Sequence, residues 1–159
     1  MFEALASHLS IANEVDQVAF GKRLGRLVGR ESVIFLEGDL GAGKTTLVRG
    51  FLQGRGHSGK VKSPTYTLIE PYFLASGSCY HLDLYRLVDA EELDYLGLRD
   101  ILAESAVVLI EWPERASILL PKPDLRIQIA HRPSSEGRDI HLMPCSSMGA
   151  EVVSLVGIG

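Results

Sequence analysis

The chain predicts an α/β protein in three layers, with helices on both faces of a mixed central sheet. Three observations carry that prediction. A short apolar run, Val33-Ile34-Phe35-Leu36, leads through a glycine-rich turn into Thr46-Leu47-Val48-Arg49-Gly50-Phe51-Leu52, a strand–loop–helix unit. A second aliphatic run, Val107-Val108-Leu109-Ile110, suits a strand buried on both faces. Between them, residues 66–74 and 79–85 flank the turn Ser76-Gly77-Ser78 and read as a hairpin. A hairpin inserted between two such strands makes the sheet mixed, not wholly parallel.

Taken in chain order, Asn13 caps a helix over residues 13–28. Its stripe is Val15, Val18, Ala19, Leu24, Leu27 and Val28, and Gly29 ends it. A strand over 32–36 enters the glycine turn, and a helix over 44–53 is stopped by Gly54 and Gly56. A polar stretch, 57–64, precedes the hairpin. Asp89-Ala90-Glu91-Glu92-Leu93 has the form of a capped helix start, and a second short helix is expected around 99–104. The strand 106–110 follows, then two strands, 125–130 and 139–143, around the loop Pro133-Ser134-Ser135-Glu136-Gly137. Beyond Pro144 the sequence is small and weakly patterned, so residues 145–159 are expected to be loosely held. No repeat or low-complexity stretch divides the 159 residues, which read as one domain.

Composition narrows the function. With 46% apolar and 23% charged residues the balance is that of a soluble globular protein. No apolar stretch approaches the roughly 20 residues that span a bilayer. Met1-Phe2-Glu3-Ala4 lacks the basic segment and apolar run of a secretory signal. Cys79 and Cys145 are too few and too scattered for a disulfide framework or a zinc site, and the five histidines show no metal-ligand spacing. These features predict a cytoplasmic protein. A net charge of −4 argues against tight autonomous binding to nucleic acid. The basic cluster Lys22, Arg23, Arg26 and Arg30 reads as a solvated helix face.

The glycine turn specifies the chemistry. Gly38, Asp39, Leu40, Gly41, Ala42, Gly43, Lys44 and Thr45 complete the phosphate-loop pattern G-x-x-x-x-G-K-[ST], with Thr46 continuing into the helix. Gly41 and Gly43 let the backbone turn its N–H groups around a phosphate, and the new helix adds its unpaired N–H groups and dipole. The pattern therefore predicts a nucleoside triphosphate ligand, with Lys44 on the β- and γ-phosphates and the Thr45 hydroxyl on Mg²⁺. Glu111 ends the run 107–111, where phosphate-loop enzymes place an acid that holds the Mg²⁺ shell. In His81-Leu82-Asp83-Leu84-Tyr85-Arg86, strand alternation puts His81, Asp83 and Tyr85 on one face. That face is either an acid–base group around Asp83, suited to orienting a metal-bound water, or the wet side of a half-exposed strand. Ser63-Pro64-Thr65-Tyr66-Thr67 is either a mobile nucleotide-sensing segment, with hydroxyls for the γ-phosphate or attacking water, or a β-turn entering a strand.

Four blocks together are distinctive: residues 38–46, Val61-Lys62-Ser63-Pro64-Thr65-Tyr66-Thr67-Leu68, His81-Leu82-Asp83-Leu84-Tyr85-Arg86 and Glu111-Trp112-Pro113-Glu114. In order and spacing they resemble the TsaE (YjeE) family of small bacterial ATPases over roughly residues 11–145. The resemblance implies a P-loop NTPase-like α/β fold with a mixed central sheet, weak Mg²⁺-dependent ATPase activity, and a complex with TsaD and TsaB. In that family ATP binding and hydrolysis reset the TsaD–TsaB assembly during N6-threonylcarbamoyladenosine (t6A) modification of tRNA at A37. The family member itself transfers no threonylcarbamoyl group, and its contact with tRNA is expected to be indirect. By match to the motifs, Thr45 and Glu111 are Mg²⁺ ligands, Lys44 the phosphate contact and Asp83 a catalytic candidate. Thr65 lies in the switch-like segment, and Trp112 is placed to report on nucleotide through its fluorescence. Glu14 and Arg138 fall where the family contacts nucleotide, and residues 143–159 match nothing in it.

The expected reaction is hydrolysis of ATP, with Asp83 or Thr65 positioning water. Adenine is favoured over guanine because no Asn-Lys-x-Asp or Thr-Lys-x-Asp string occurs. No arginine finger stands in cis at a motif position, Arg86 being the one exception, so the isolated chain is expected to be slow. The rivals are a small-molecule phosphotransferase and a nucleotide-sensing binding module. The first usually closes an arginine-rich lid, whereas Ile118-Leu119-Leu120-Pro121-Lys122-Pro123 is apolar and proline-rich.

Overall fold

The computed structural model describes residues 2–156. Its strands are β1 (Ser7–Ile11), β2 (Ser32–Glu37), β3 (Ile69–Leu74), β4 (Gly77–Asp83), β5 (Ala106–Glu111), β6 (Leu125–His131) and β7 (Arg138–Pro144). The helices are α1 (Glu14–Leu27), α2 (Lys44–Gly54), α3 (Glu91–Tyr95), α4 (Leu98–Ala103) and α5 (Ser147–Val156). The seven strands form one sheet in the order β1-β7-β6-β2-β5-β4-β3. Strands β4, β5, β2 and β6 are parallel, while β3, β7 and β1 join antiparallel, so the sheet is mixed as predicted.

Alternation divides the parallel strands between two cores. Ile34, Leu36, Val107, Leu109, Ile127 and Ile129 face α1, α2 and α5. Tyr80, Leu82, Val108 and Ile110 face the other way, toward Leu93 of α3 and Leu98 and Ile101 of α4. β5 is buried along its whole length, which explains why it carries no polar residue before Glu111. On the half of the sheet without α3 and α4, the second face carries polar residues. Arg126 makes a bidentate ion pair with Glu37 at 2.7 and 3.0 Å, and His8 stacks on His141 with ring centroids 4.0 Å apart.

Several boundaries differ from the sequence reading. The stripe of α1 is Gln17, Phe20, Gly21, Leu24 and Gly25, while Val15 is 76% exposed. The cause is the close approach of α1 to α2. A Cβ at Gly21 would meet the Leu47 carbonyl oxygen at 2.5 Å, one at Gly25 the Phe51 oxygen at 2.2 Å, and one at Gly50 the Val18 oxygen at 2.3 Å. Gly54 belongs to the same seam, its Cβ position 2.3 Å from the Lys22 oxygen, so it lies within α2 and Gly56, at φ +98°, follows the end. Residues 65–67 form a turn instead of opening the third strand, and β3 begins only at Ile69. β1 was not foreseen and pairs with β7. The expected loose tail instead forms α5, which buries Val152, Val153 and Val156, and Arg23 of α1 donates to the Val156 carbonyl at 2.6 Å. Residues 157–159 of that tail lie outside the described residues.

Candidate nucleotide site

The site is assembled where β2, β4 and β5 end. Parallel strands leave their carboxyl ends at one edge of the sheet, where ligands of open α/β sheets gather. β2 ends at Glu37 and the chain turns through Gly38, Asp39, Leu40, Gly41 and Ala42 before Gly43 caps α2. Gly38, Gly41 and Gly43 all have positive φ, at +157°, +81° and +104°. At Gly41 and Gly43 a side chain would be strained, which is the physical reason the pattern needs glycine there. At Gly43 a Cβ would lie 2.4 Å from Gln17 Nε2 and displace that side chain, while at Gly41 the nearest neighbour is His131 Nε2 at 4.0 Å. The loop runs into the first turn of α2, whose N–H groups have no partner within the helix. Leu40 is exposed at its tip, and Thr46 is half-buried in the first turn of the helix.

Lys44 is 4% exposed and folds back into the loop. Its ammonium donates to the Gly38 carbonyl, lies 3.5 Å from the Asp39 carbonyl, and sits 3.8 Å from the centroid of the Trp112 ring. Burial pulls its pKa below the usual lysine value, and the charges of Glu111, Asp83, Glu114 and Asp39 act in the opposite sense. Two supports brace the loop from outside. Gln17 Nε2 donates to the Gly43 carbonyl at 2.8 Å, and Arg138 Nε donates to the Ala42 carbonyl at 2.7 Å. Gln17 lies outside every motif of the sequence. Its signal was a polar residue at helical spacing from Phe20, Gly21 and Leu24, on the face of α1 that packs inward. Glu14, one turn earlier, forms an exposed ion pair with Arg49 of α2 at 2.7 Å.

Parallel register sets the acids side by side. Asp83 is opposite Glu111 in the pairing of β4 with β5, and both side chains are on the α2 side, with His81 two residues before Asp83. His81 is fully buried and Asp83 is 6% exposed, which removes the reading of a half-exposed strand. Tyr85 lies beyond the end of β4, and its N–H donates to Asp83 Oδ1 at 3.1 Å. Thr45 Oγ1 donates to Glu111 Oε2 at 2.9 Å, and His81 Nε2 lies 2.6 Å from the same oxygen. Thr65 Oγ1 reaches Asp83 Oδ2 at 3.5 Å and Ser63 Oγ at 2.8 Å, so the turn carrying the switch-like segment touches the acid directly. Burial, followed by the neighbouring Glu111 charge, pushes the Asp83 carboxyl above the usual range, against the pull of the Tyr85 N–H, His81 and Lys44. Arg86 is exposed, its guanidinium 4.7 Å from the centroid of the Tyr66 ring.

The hydroxyl of Thr45 and the carboxylate of Glu111 are hard oxygen donors at hydrogen-bonding separation beside the phosphate loop, a set that fits a Mg²⁺ completing its shell with waters and phosphate oxygens. Fold and site together define an α/β protein with a mixed sheet and a phosphate-loop cradle at the head of its second helix. The family model of "Threonylcarbamoyl adenosine biosynthesis protein TsaE" matches residues 11–140, and the chain belongs to that family. It is 42% identical over 149 residues to the tRNA threonylcarbamoyladenosine biosynthesis protein TsaE of Haemophilus influenzae, covering 91% of this chain and 93% of that protein. The protein of the same name from Bacillus subtilis is 38% identical over 128 residues, covering 80% and 79%. A crystal structure of Bacillus subtilis YdiB superposes with a TM-score of 0.81 at 27% identity, covering 96% of this chain and 95% of that one.

Proposed function

We propose that the chain is a Mg²⁺-dependent ATPase serving t6A modification of tRNA at A37, and that it acts on a TsaD–TsaB complex without transferring the threonylcarbamoyl group itself. The names carried by its relatives support the pathway. The observation that carries the chemistry is the direct Thr45–Glu111 hydrogen bond across 66 residues of chain, next to a lysine held inside the loop. In this reading the backbone of residues 38–45 and the Lys44 ammonium bind the triphosphate and neutralise charge that develops on the β–γ bridge. Thr45 and Glu111 would hold Mg²⁺, which when bound would add positive charge at the phosphate oxygens. Asp83, with its raised pKa, accepts a proton from the attacking water more readily than an ordinary aspartate, and Thr65 fixes that water. Water oxygen bonds to the γ-phosphorus, the bond to the bridging oxygen breaks, and ADP, phosphate and a proton leave.

The chain supplies few cations to the leaving phosphate beyond Lys44. Arg86 is exposed and stacks on Tyr66, and Arg138 is bound to the loop carbonyl of Ala42. An arginine supplied by a partner commonly gives about 10³–10⁵ in rate, so in this reading the isolated chain is slow. The test is Mg²⁺-dependent ATP turnover with purified TsaD and TsaB present, wild type against Glu111→Ala. We expect turnover stimulated by the partners and a loss of at least about 100-fold in the variant. Hydrolysis that ignores the partners, or that survives the substitution undiminished, rejects the proposal. ATP consumption in proportion to an added small-molecule acceptor would instead mark a phosphotransferase.

A further inference from the structure

Apart from Thr45, His81 is the only residue hydrogen-bonded to Glu111 Oε2 among the described residues, and nothing in the reaction above uses it. It is fully buried in β4, and its Nδ1 finds no hydrogen-bond partner among the described residues. A carboxylate oxygen only accepts, so Nε2 carries the proton of this contact and Nδ1 is left without a partner. An orphaned buried polar atom costs stability, and an aliphatic residue would fill the same position in the sheet without that cost. The feature that offsets it is the single N–H···O contact of 2.6 Å, shorter than an ordinary neutral hydrogen bond and of the charge-assisted kind. Thr45 reaches the same oxygen from α2, so Oε2 is gripped from two elements.

We propose that His81 is the positioning residue of the metal carboxylate: from inside the sheet its Nε2–H fixes Glu111 in the rotamer that meets Thr45, so that the two oxygen donors are aligned before Mg²⁺ arrives. This deepens the ATPase reading and rests on Glu111 being a Mg²⁺ ligand. Residues that orient a ligand from outside the shell commonly change metal affinity by about 10–100-fold. The role requires a donor at the reach of Nε2. Glutamine carries its amide nitrogen at that reach, asparagine stops one methylene short, and leucine has no donor.

The test is isothermal titration calorimetry of ATP into His81→Leu, His81→Gln and Glu111→Ala proteins, without Mg²⁺ and across a Mg²⁺ series. We expect H81L to need about 10-fold more Mg²⁺ for half of its effect on ATP affinity, with Mg²⁺-free affinity unchanged, and H81Q to recover most of the loss. A general loosening of the fold would lower both affinities together. H81L that titrates like wild type, H81L that loses Mg²⁺-free affinity in parallel, or H81Q as impaired as H81L each overturns the proposal. If H81L does not fold, H81N takes its place against H81Q, and equal behaviour of the two amides overturns it as well. Should E111A itself respond to Mg²⁺ as wild type does, the fault lies in the reading of Glu111, whatever His81 does.

Discussion

Asp83 shows how a single side chain can trade stability for chemistry. In the unfolded chain it titrates near the ordinary aspartate value of about 4, whereas in the fold burial and Glu111 raise it. Between the two values the folded protein holds a proton that the unfolded chain has released. Stability therefore falls as pH rises through that window and stays lowered above it. Asp83→Asn removes the titration while its side-chain oxygen still accepts from the Tyr85 N–H. We expect D83N to be the more stable protein at pH 7 by about 1 kcal/mol, the gain fading as pH is lowered toward 4, and to be nearly inactive. Denaturant unfolding at both pH values, beside a turnover assay, checks all three statements. A variant that is less stable than wild type at pH 7 would mean that the Thr65 and Tyr85 contacts outweigh the buried charge.

At the scale of elements, the seam between α1 and α2 shows where sequence periodicity misleads. Apolar side chains normally mark the inward face of a helix, yet here the face is marked partly by Gly21 and Gly25 and answered by Gly50 and Gly54. Glycines score as breakers, so the valines on the next strip, Val15 and Val18, looked like the stripe. The repeated small-x-x-x-small spacing in both helices was the available signal. α5 was missed for a related reason. Met148, Val152, Val153 and Val156 do fall at helical spacing, but Gly149 interrupts them, and it is needed because a Cβ there would lie 1.9 Å from the Asp124 carbonyl oxygen. The phosphate loop, Lys44, Thr45 and Glu111 were legible because each is fixed by local geometry: positive φ, a helix start, a strand end. The His81 contact with Glu111 and the Gln17 and Arg138 braces were not, since they depend on which strands and helices are neighbours. The seam makes a sharp prediction. Gly25→Ala should cost about 1–3 kcal/mol through overpacking against backbone, despite the gain in helix propensity. Gly29→Ala, with nothing within 4 Å of its Cβ and no positive φ, should be neutral or stabilising. Equal thermal stability of the two variants would show that α1 can slide on α2 at little cost.

For the whole molecule, the consequence of this construction is that ligand and fold share one set of contacts. The loop is tied to α1 by Gln17, to β7 by Arg138 and to its own start by Lys44, while Thr45 ties α2 to β5 through Glu111. A ligand that engages this cradle grips elements from both ends of the chain, so its binding energy adds to global stability instead of to one loop. For a ligand that binds only the folded state, stabilisation is RT ln(1 + [L]/Kd), about 2.7 kcal/mol at 100 times Kd. In a domain of this size each kcal/mol moves Tm by about 2–4 °C. Saturating MgATP should therefore raise Tm by about 5–10 °C. Without Mg²⁺ the shift should shrink, because the donor pair of Thr45 and Glu111 then contributes nothing to binding. Lys44→Ala should lose charge-assisted bonds worth about 3 kcal/mol, weakening ATP by about 100-fold and cutting the shift to about 1–2 °C at the same nucleotide concentration. The sole tryptophan, Trp112, lies against the Lys44 ammonium, so its emission should change in the wild type with ATP and stay flat in the variant. Calorimetric melts with ATP, with ATP and EDTA, and with the K44A protein make the comparison, and an identical MgATP shift in K44A would mean that the nucleotide binds elsewhere on the molecule.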